Sequence, residues 1–385
     1  MRDDIHSNLL DDGSVLMTSF YSPISLAWRG ADIVDVCAVH ATYGHLLVLT
    51  ADGGLHGVDM ASGAVTPLCQ VTLPVFEPDD GVSCFGRRGL RLHGSTNGEF
   101  AAIVVDRGRA GLLVSIAGGE VTMPLDGGGY HEDTVPFSAA FVRHERRDML
   151  IHRTAWNRLE ASDAATGALL TERYIAPYES GQPSPAHYID YFRGRLHVSP
   201  EGGRIFDDGW VWHPVAIGRV WSPSNWLHQN PWESEDGPSL VRTSQREDWN
   251  RPGCWIDEDQ FALWGLAEWD YEEFEEINQG AGVCIFDFRA NPEPTMRRRP
   301  MELNDGTTRR VPMELNGAKV LDLFSDGRHL FVAAETGTTA WDIASGTQVA
   351  ACADFVARFY DRTRGRLVAF GPDTITEWTL RPELS

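Results

Sequence analysis

The sequence predicts an all-β fold, a single β-propeller of seven four-stranded blades spanning residues 1–385 and closed by an N-terminal strand. Three observations carry this expectation. Hydrophobic strands repeatedly end in an Asp-containing turn: Val58-Asp59 before Ser62-Gly63, Ser162-Asp163 before Thr166-Gly167, Phe286-Asp287 before Asn291, and Trp341-Asp342 before Ser345-Gly346. Short apolar stretches recur in sets separated by Gly or Asp. The last set lacks a strand, whereas the N-terminus offers spare ones.

The turn has a physical basis. An Asp at a strand end bonds to backbone amides of the turn, and a Gly four residues on tolerates positive φ, so the element reads as a hairpin. In the first set, Val36 to His40, His45 to Thr50 and Leu55 to Asp59 precede the strand Ala64 to Val71, which makes a four-stranded meander. Comparable sets fall near 85–125, 137–175, 187–245, 252–303 and 317–353. The final set holds Val356 to Tyr360, Arg366 to Phe370 and Thr374 to Leu380. Ser14 to Phe20 and Ile24 to Trp28 are the spare N-terminal strands; one of them completes the last blade and hides an edge that would invite aggregation. Uneven set lengths place insertions near 222–250 and 265–282.

Composition bounds the function. Hydrophobic residues at 42% and charged residues at 23% supply a core and argue against wholesale disorder. A formal charge of −22 opposes binding to nucleic acid or an anionic membrane, both of which need clustered cations. No apolar run is long enough for a membrane helix, and Met1 to Leu10 is polar and acidic where a signal peptide would be basic then apolar, so a cytoplasmic location is expected. Cys37, Cys69, Cys84, Cys254, Cys284 and Cys352 are scattered without a C-x-x-C pair and read as reduced thiols. Lys319 is the one lysine, an Arg bias that fits a GC-rich coding genome.

Trp341-Asp342-Ile343-Ala344-Ser345-Gly346, Phe324-Ser325-Asp326-Gly327-Arg328 and Val198-Ser199-Pro200-Glu201-Gly202 resemble bacterial WD40-like propeller repeats. That resemblance implies the propeller fold but no particular function, because scaffolds and enzymes share it. Of the four Asp turns, only Trp341-Asp342 supplies the WD dipeptide. Ala161-Ser162-Asp163-Ala164-Ala165-Thr166-Gly167 also resembles the docking motif of quinoprotein propellers, but the Trp expected shortly after it is missing. No cofactor is expected.

Nine of the thirteen tryptophans lie between Trp210 and Trp269. Trp210, Trp212, Trp221 and Trp264 sit in strand-like contexts and read as core aromatics. Trp226, Trp232, Trp249 and Trp269 sit among Pro, Asn, Asp and Glu and are candidate binding residues, since Trp is enriched at binding hot spots. The stretch Asp257 to Glu276 is acidic, and Glu272, Glu273, Glu275 and Glu276 are candidates for steering a cation-rich partner. The tryptophan and acidic insertions belong to adjacent blades and meet if their loops leave the ring on one face. The acidic stretch lacks the ligand alternation of a calcium loop, and no metal site is expected. Pro300-Met301-Glu302-Leu303-Asn304 returns as Pro312-Met313-Glu314-Leu315-Asn316, a copied strand and loop.

No nucleophile elbow, zinc helix, phosphate loop or dinucleotide fingerprint occurs, and dispersed histidines such as His187, His197 and His213 read as structural. The expected function is a non-catalytic protein-protein interaction module or scaffold. Its Trp-rich and acidic loops would bind a basic or amphipathic protein or peptide. The alternative is a lactonase-like propeller enzyme, a hydrolase or lyase with its site at the central channel mouth.

Overall fold

In the computed structural model, residues 23–77, 86–178, 181–211, 215–246, 250–266, 281–289, 308–315 and 317–380 are described. Their strands form seven antiparallel sheets, the blades of a propeller. Strand β1 (Ile24–Ala27) precedes blade 1, which holds β2 (Ile33–Ala41), β3 (Gly44–Thr50), β4 (Gly54–Asp59) and β5 (Ala64–Gln70). Blade 2 follows with β6 (Gly89–Gly94), β7 (Phe100–Asp106), β8 (Ala110–Ser115) and β9 (Glu120–Asp126). Blade 3 has β10 (Ala139–His144), β11 (Arg147–Ala155) and β12 (Arg158–Asp163). Blade 4 has β13 (Phe192–Val198), β14 (Ile205–Val211) and β15 (Val215–Trp221), then helices α1 (Pro223–His228) and α2 (Glu233–Asp236), then β16 (Val241–Arg246). Blade 5 comprises β17 (Gly253–Trp255), β18 (Gln260–Trp264), β19 (Gly282–Asp287) and β20 (Thr308–Pro312). Blade 6 comprises β21 (Val320–Ser325), β22 (His329–Ala334), β23 (Gly337–Asp342) and β24 (Gln348–Cys352). Blade 7 has β25 (Phe359–Asp361), β26 (Arg366–Gly371) and β27 (Thr374–Trp378), and β1 completes it by pairing Ile24 with Glu377 and Ala27 with Thr374.

Both the seven sheets and the closure by an N-terminal strand match the sequence expectation. The predicted strand Ser14 to Phe20 lies outside the described residues. Of the two copies of Pro-Met-Glu-Leu-Asn, the second continues β20 and buries Met313; the first lies outside the described residues.

The Asp turns form as their chemistry requires. Asp59 accepts from the Ala61 and Ser62 amides, Asp163 from Ala165 and Thr166, and Asp342 from Ser345. Gly63, Gly167 and Gly346 adopt φ of 70°, 69° and 71°.

The apolar core lies between blades. Leu47 and Leu49 pack on Ile103 across blades 1 and 2, and Ala102 and Val104 on Leu150 across blades 2 and 3. The series continues around the ring to Val48 and Ile33 against Val368 and Ile375, which seals blade 7 to blade 1. The innermost strands enclose a cavity of about 570 Å³. His40, Thr96, Arg143, Ser199, Ser325 and Thr363, each at or beside a first-to-second-strand turn, all line it. The inner strands therefore run in one direction.

Parity then assigns every connection to an end of the ring. In a meander, turns joining strands one to two and three to four share an end, and the turn joining two to three lies at the other. The α1–α2 insertion joins β15 to β16 and sits at the end where the cavity opens. Most of the acidic insertion, and Trp249 of the other, lie outside the described residues.

Candidate functional site

Blade 3 departs from the common pattern. After the turn at Asp163 the chain pairs briefly, with a bridge between Ser162 and Leu169, and then leaves the sheet. The open edge of β12 is covered by side chains instead: Thr171 Oγ1 accepts from the Ala161 amide, and Arg173 donates to the Leu159 carbonyl. Residues 172–178 and 181–190 then lie on the flank of blades 3 and 4, where Asn157 Nδ2 holds the Ile189 carbonyl at 2.9 Å.

This segment displays aromatics. Tyr174 is 82% exposed and Tyr178 49% exposed. Tyr178 stacks on Tyr188 with centroids 4.7 Å apart, and the adjacent His187 stacks on Trp232 at 4.3 Å. His187 also pairs with Asp236 at 2.8 Å. Glu172, Asp190 and Asp236 are exposed beside these rings, whereas the Arg173 guanidinium is turned inward. The patch is aromatic and acidic.

A buried ionic chain fixes Trp232 in place. Arg173 bonds Glu160 and Glu235, each at 2.7 Å, and lies 4.9 Å from the Trp232 ring centroid. Arg193, fully buried, pairs with Asp207 at 3.2 Å and donates to the Ser234 carbonyl. Arg219 donates to the Glu235 carbonyl and lies over Tyr191. Burial raises the pKa values of Glu160 and Asp207, opposed by their arginines. Helix α2 is thus pinned by three guanidinium groups.

Of the two nominated binding residues that are described, Trp226 and Trp232, Trp232 lies on this surface. Trp226 is 2% exposed, packs edge-on against Trp221 and donates Nε1–H to the Pro231 carbonyl, so it anchors α1 in the core rather than contacting a partner. Its Pro- and Asn-rich surroundings belong to a packed helical insertion and not to an open loop. Trp249, Trp269, Glu272, Glu273, Glu275 and Glu276 lie outside the described residues, as do Trp212 and His213. Trp210 and Trp221 are buried, as their strand contexts predicted. Sequence reading missed Tyr174, Tyr178 and Tyr188; the Pro-rich, tyrosine-bearing composition of 172–190 was the available signal. His187 joins the patch rather than only supporting the fold.

The channel mouth has a different chemistry. Arg195 pairs with Asp322 across it at 3.0 Å, His40 shares a hydrogen bond with Thr363, and Arg362 donates to the Ile256 carbonyl at 3.1 Å. Burial and the neighbouring Arg91 hold His93 down at about 4, and burial with Arg195 holds His197 well below its ordinary value, so both imidazoles are neutral at pH 7. Burial pushes the Cys254 thiol up, which disfavours the thiolate a nucleophile needs. Two pairs of lining side chains, Arg195 with Asp322 and His40 with Thr363, thus engage each other.

No protein-family model matches the chain, and no curated protein sequence matches it. Its fold is similar to solved WD40 propellers. The Cps50 (Swd1) β-propeller domain of Myceliophteria thermophila is 11% identical, with a TM-score of 0.53 over 94% of this chain and all of that one. A chain of the mitotic checkpoint complex is 10% identical, with a TM-score of 0.52 over 99% of this chain and 97% of that one. At such identity the likeness shows the fold. No described helix is long and apolar enough to cross a membrane.

Proposed function

We propose that this propeller is a non-catalytic protein-interaction module that takes a basic or amphipathic protein segment on the flank of blades 3 and 4. The observation that carries the reading is the aromatic run of exposed Tyr174 and Tyr178 with half-buried Tyr188 and Trp232, together with exposed Glu172, Asp190 and Asp236. Tyr and Trp provide rigid contact area at low entropic cost, and carboxylates steer a cationic partner. The self-paired channel mouth favours this reading over a hydrolase or lyase. Both propeller neighbours support it by their form: one belongs to a named complex. Trp249, Trp269 and the acids Glu272, Glu273, Glu275 and Glu276 enter the proposal as a second contact, on the sequence alone. A cytoplasmic location and a bacterial origin belong to the same reading, on the charge and the Arg bias of the sequence.

The test captures partners with the whole chain from its native host and then measures binding kinetics of purified partner to two variants. Tyr174→Ser with Tyr178→Ser should speed dissociation and weaken affinity by about tenfold or more. Glu172→Gln with Asp236→Asn should slow association and flatten its salt dependence. If both variants stay folded and bind with unchanged rates, this flank is not the binding surface.

A further inference from the structure

Three donor side chains from two blades meet beside the open end of the channel. His144 is the last residue of β10, and Glu145 begins the tight turn into β11, where Glu145 and Arg146 take φ of 48° and 66°. His228 ends α1, a helix set by the Ser222 cap, by Pro223 in its first turn and by the buried Trp226. The two imidazoles lie 4.4 Å apart between centroids with their Nε2 atoms facing, and Glu145 Oε1 is 3.8 Å from His228 Nε2. One ligand atom from each residue lies within 4.8 Å of the other two.

We propose that His144, Glu145 and His228 form a site for a zinc-class divalent cation that clips α1 of blade 4 to the β10–β11 hairpin of blade 3. Two facing imidazole nitrogens cannot both accept; the pair needs either a proton or a cation between them. A cation also satisfies the carboxylate that completes the group. Two imidazole nitrogens and one carboxylate oxygen suit zinc and its first-row neighbours, whereas magnesium and calcium favour all-oxygen sets. Zinc bonds of about 2.0–2.1 Å put tetrahedral donors about 3.3 Å apart, a spacing that small side-chain rotations reach from the distances here. The fourth position faces solvent, since the Glu145 and His228 side chains are 62% and 44% exposed, and it takes water or a donor from another molecule. Exposed Arg143, Arg146 and Arg147 flank the turn and oppose a cation, so affinity is moderate. Nothing in the sequence signals this site, because His228 lies 84 positions from His144.

The test is calorimetric titration of zinc into the full chain after chelator treatment, with cobalt absorption as a geometric probe. The wild-type chain should take one zinc with moderate affinity and gain melting temperature. His144→Ala and His228→Ala should each weaken that step by at least about tenfold and abolish the thermal gain, with Glu145→Gln intermediate. His228 sits at an exposed helix end, so its variant decides the matter even if His144→Ala fails to fold. The proposal is overturned if the wild type takes no zinc at about 100 µM, or if both histidine variants bind it as the wild type does.

Discussion

Blades 1 and 4 share one meander and are held together by opposite chemistry. The middle of β3 reads Leu46-Leu47-Val48-Leu49, all fully buried against aliphatic neighbours. The matching stretch of β14 reads Phe206-Asp207-Asp208-Gly209, and its two carboxylates are 0% and 1% exposed. Blade 1 needs only volume there. Blade 4 must supply a cation to each carboxylate, and it does so with Arg193 for Asp207 and Arg246 for Asp208. Buried ion pairs contribute little net stability over an apolar replacement, but they impose direction. Here the direction leads outward: Arg193, Arg173 and Arg219 reach α2 and hold Trp232 against the tyrosine segment. The regular blade builds the ring, and the ionic blade positions a surface.

Breaking the ionic side of this comparison should have the largest effect. Arg193→Ala leaves Asp207 buried and uncompensated, at an expected cost of about 3–5 kcal/mol in urea unfolding. Arg193→Met with Asp207→Leu should recover most of that stability while loosening α2, visible as faster amide exchange over 232–236. In blade 1, Leu47→Ala should cost about 2–5 kcal/mol with no change at α2. Comparable loosening of α2 by Leu47→Ala would erase the distinction between the blades.

Acid should act through blade 3, the neighbour of the ionic blade. Burial holds the pKa of His152 in blade 3, 5% exposed, down at about 4, below an unfolded value near 6.5. The unfolded chain therefore takes up this proton first, and stability falls as pH drops from about 6.5 towards 4. From pH 7 to pH 5 this one group contributes a loss of about 2 kcal/mol, which His152→Gln should remove from the pH profile. An unchanged profile in His152→Gln would mean that the imidazole is not held neutral by burial. The smallest expected effect belongs to the turns: Asp342→Ala removes acceptors for the Ser345 amide and hydroxyl and should cost about 1 kcal/mol by thermal melting.

The ring was legible because its signals are local. Asp59, Asp163 and Asp342 each act on residues two to four positions ahead, and strand pairing repeats from neighbour to neighbour, so one sequence carries both. The candidate surface was legible only in part. Trp232 stands out by type, yet what separates it from Trp226 is burial, set by contacts with Trp221 and Pro231 that local composition does not show. The role of Arg173 depends on Glu235, 62 positions away, and the missing fourth strand of blade 3 shows only when pairing is seen. The end of the ring at which the α1–α2 insertion emerges follows from strand parity, which needs every strand of a blade to be counted correctly.

The most direct measurement of the proposed surface is side-chain footprinting of the whole chain, alone and saturated with its captured partner. Protection of Tyr174, Tyr178, Tyr188 and Trp232, with the channel-mouth residues Tyr360 and Phe141 unchanged, is the expected result. Protection at Tyr360 and Phe141 with the flank still reactive would contradict it and move the binding site to the channel.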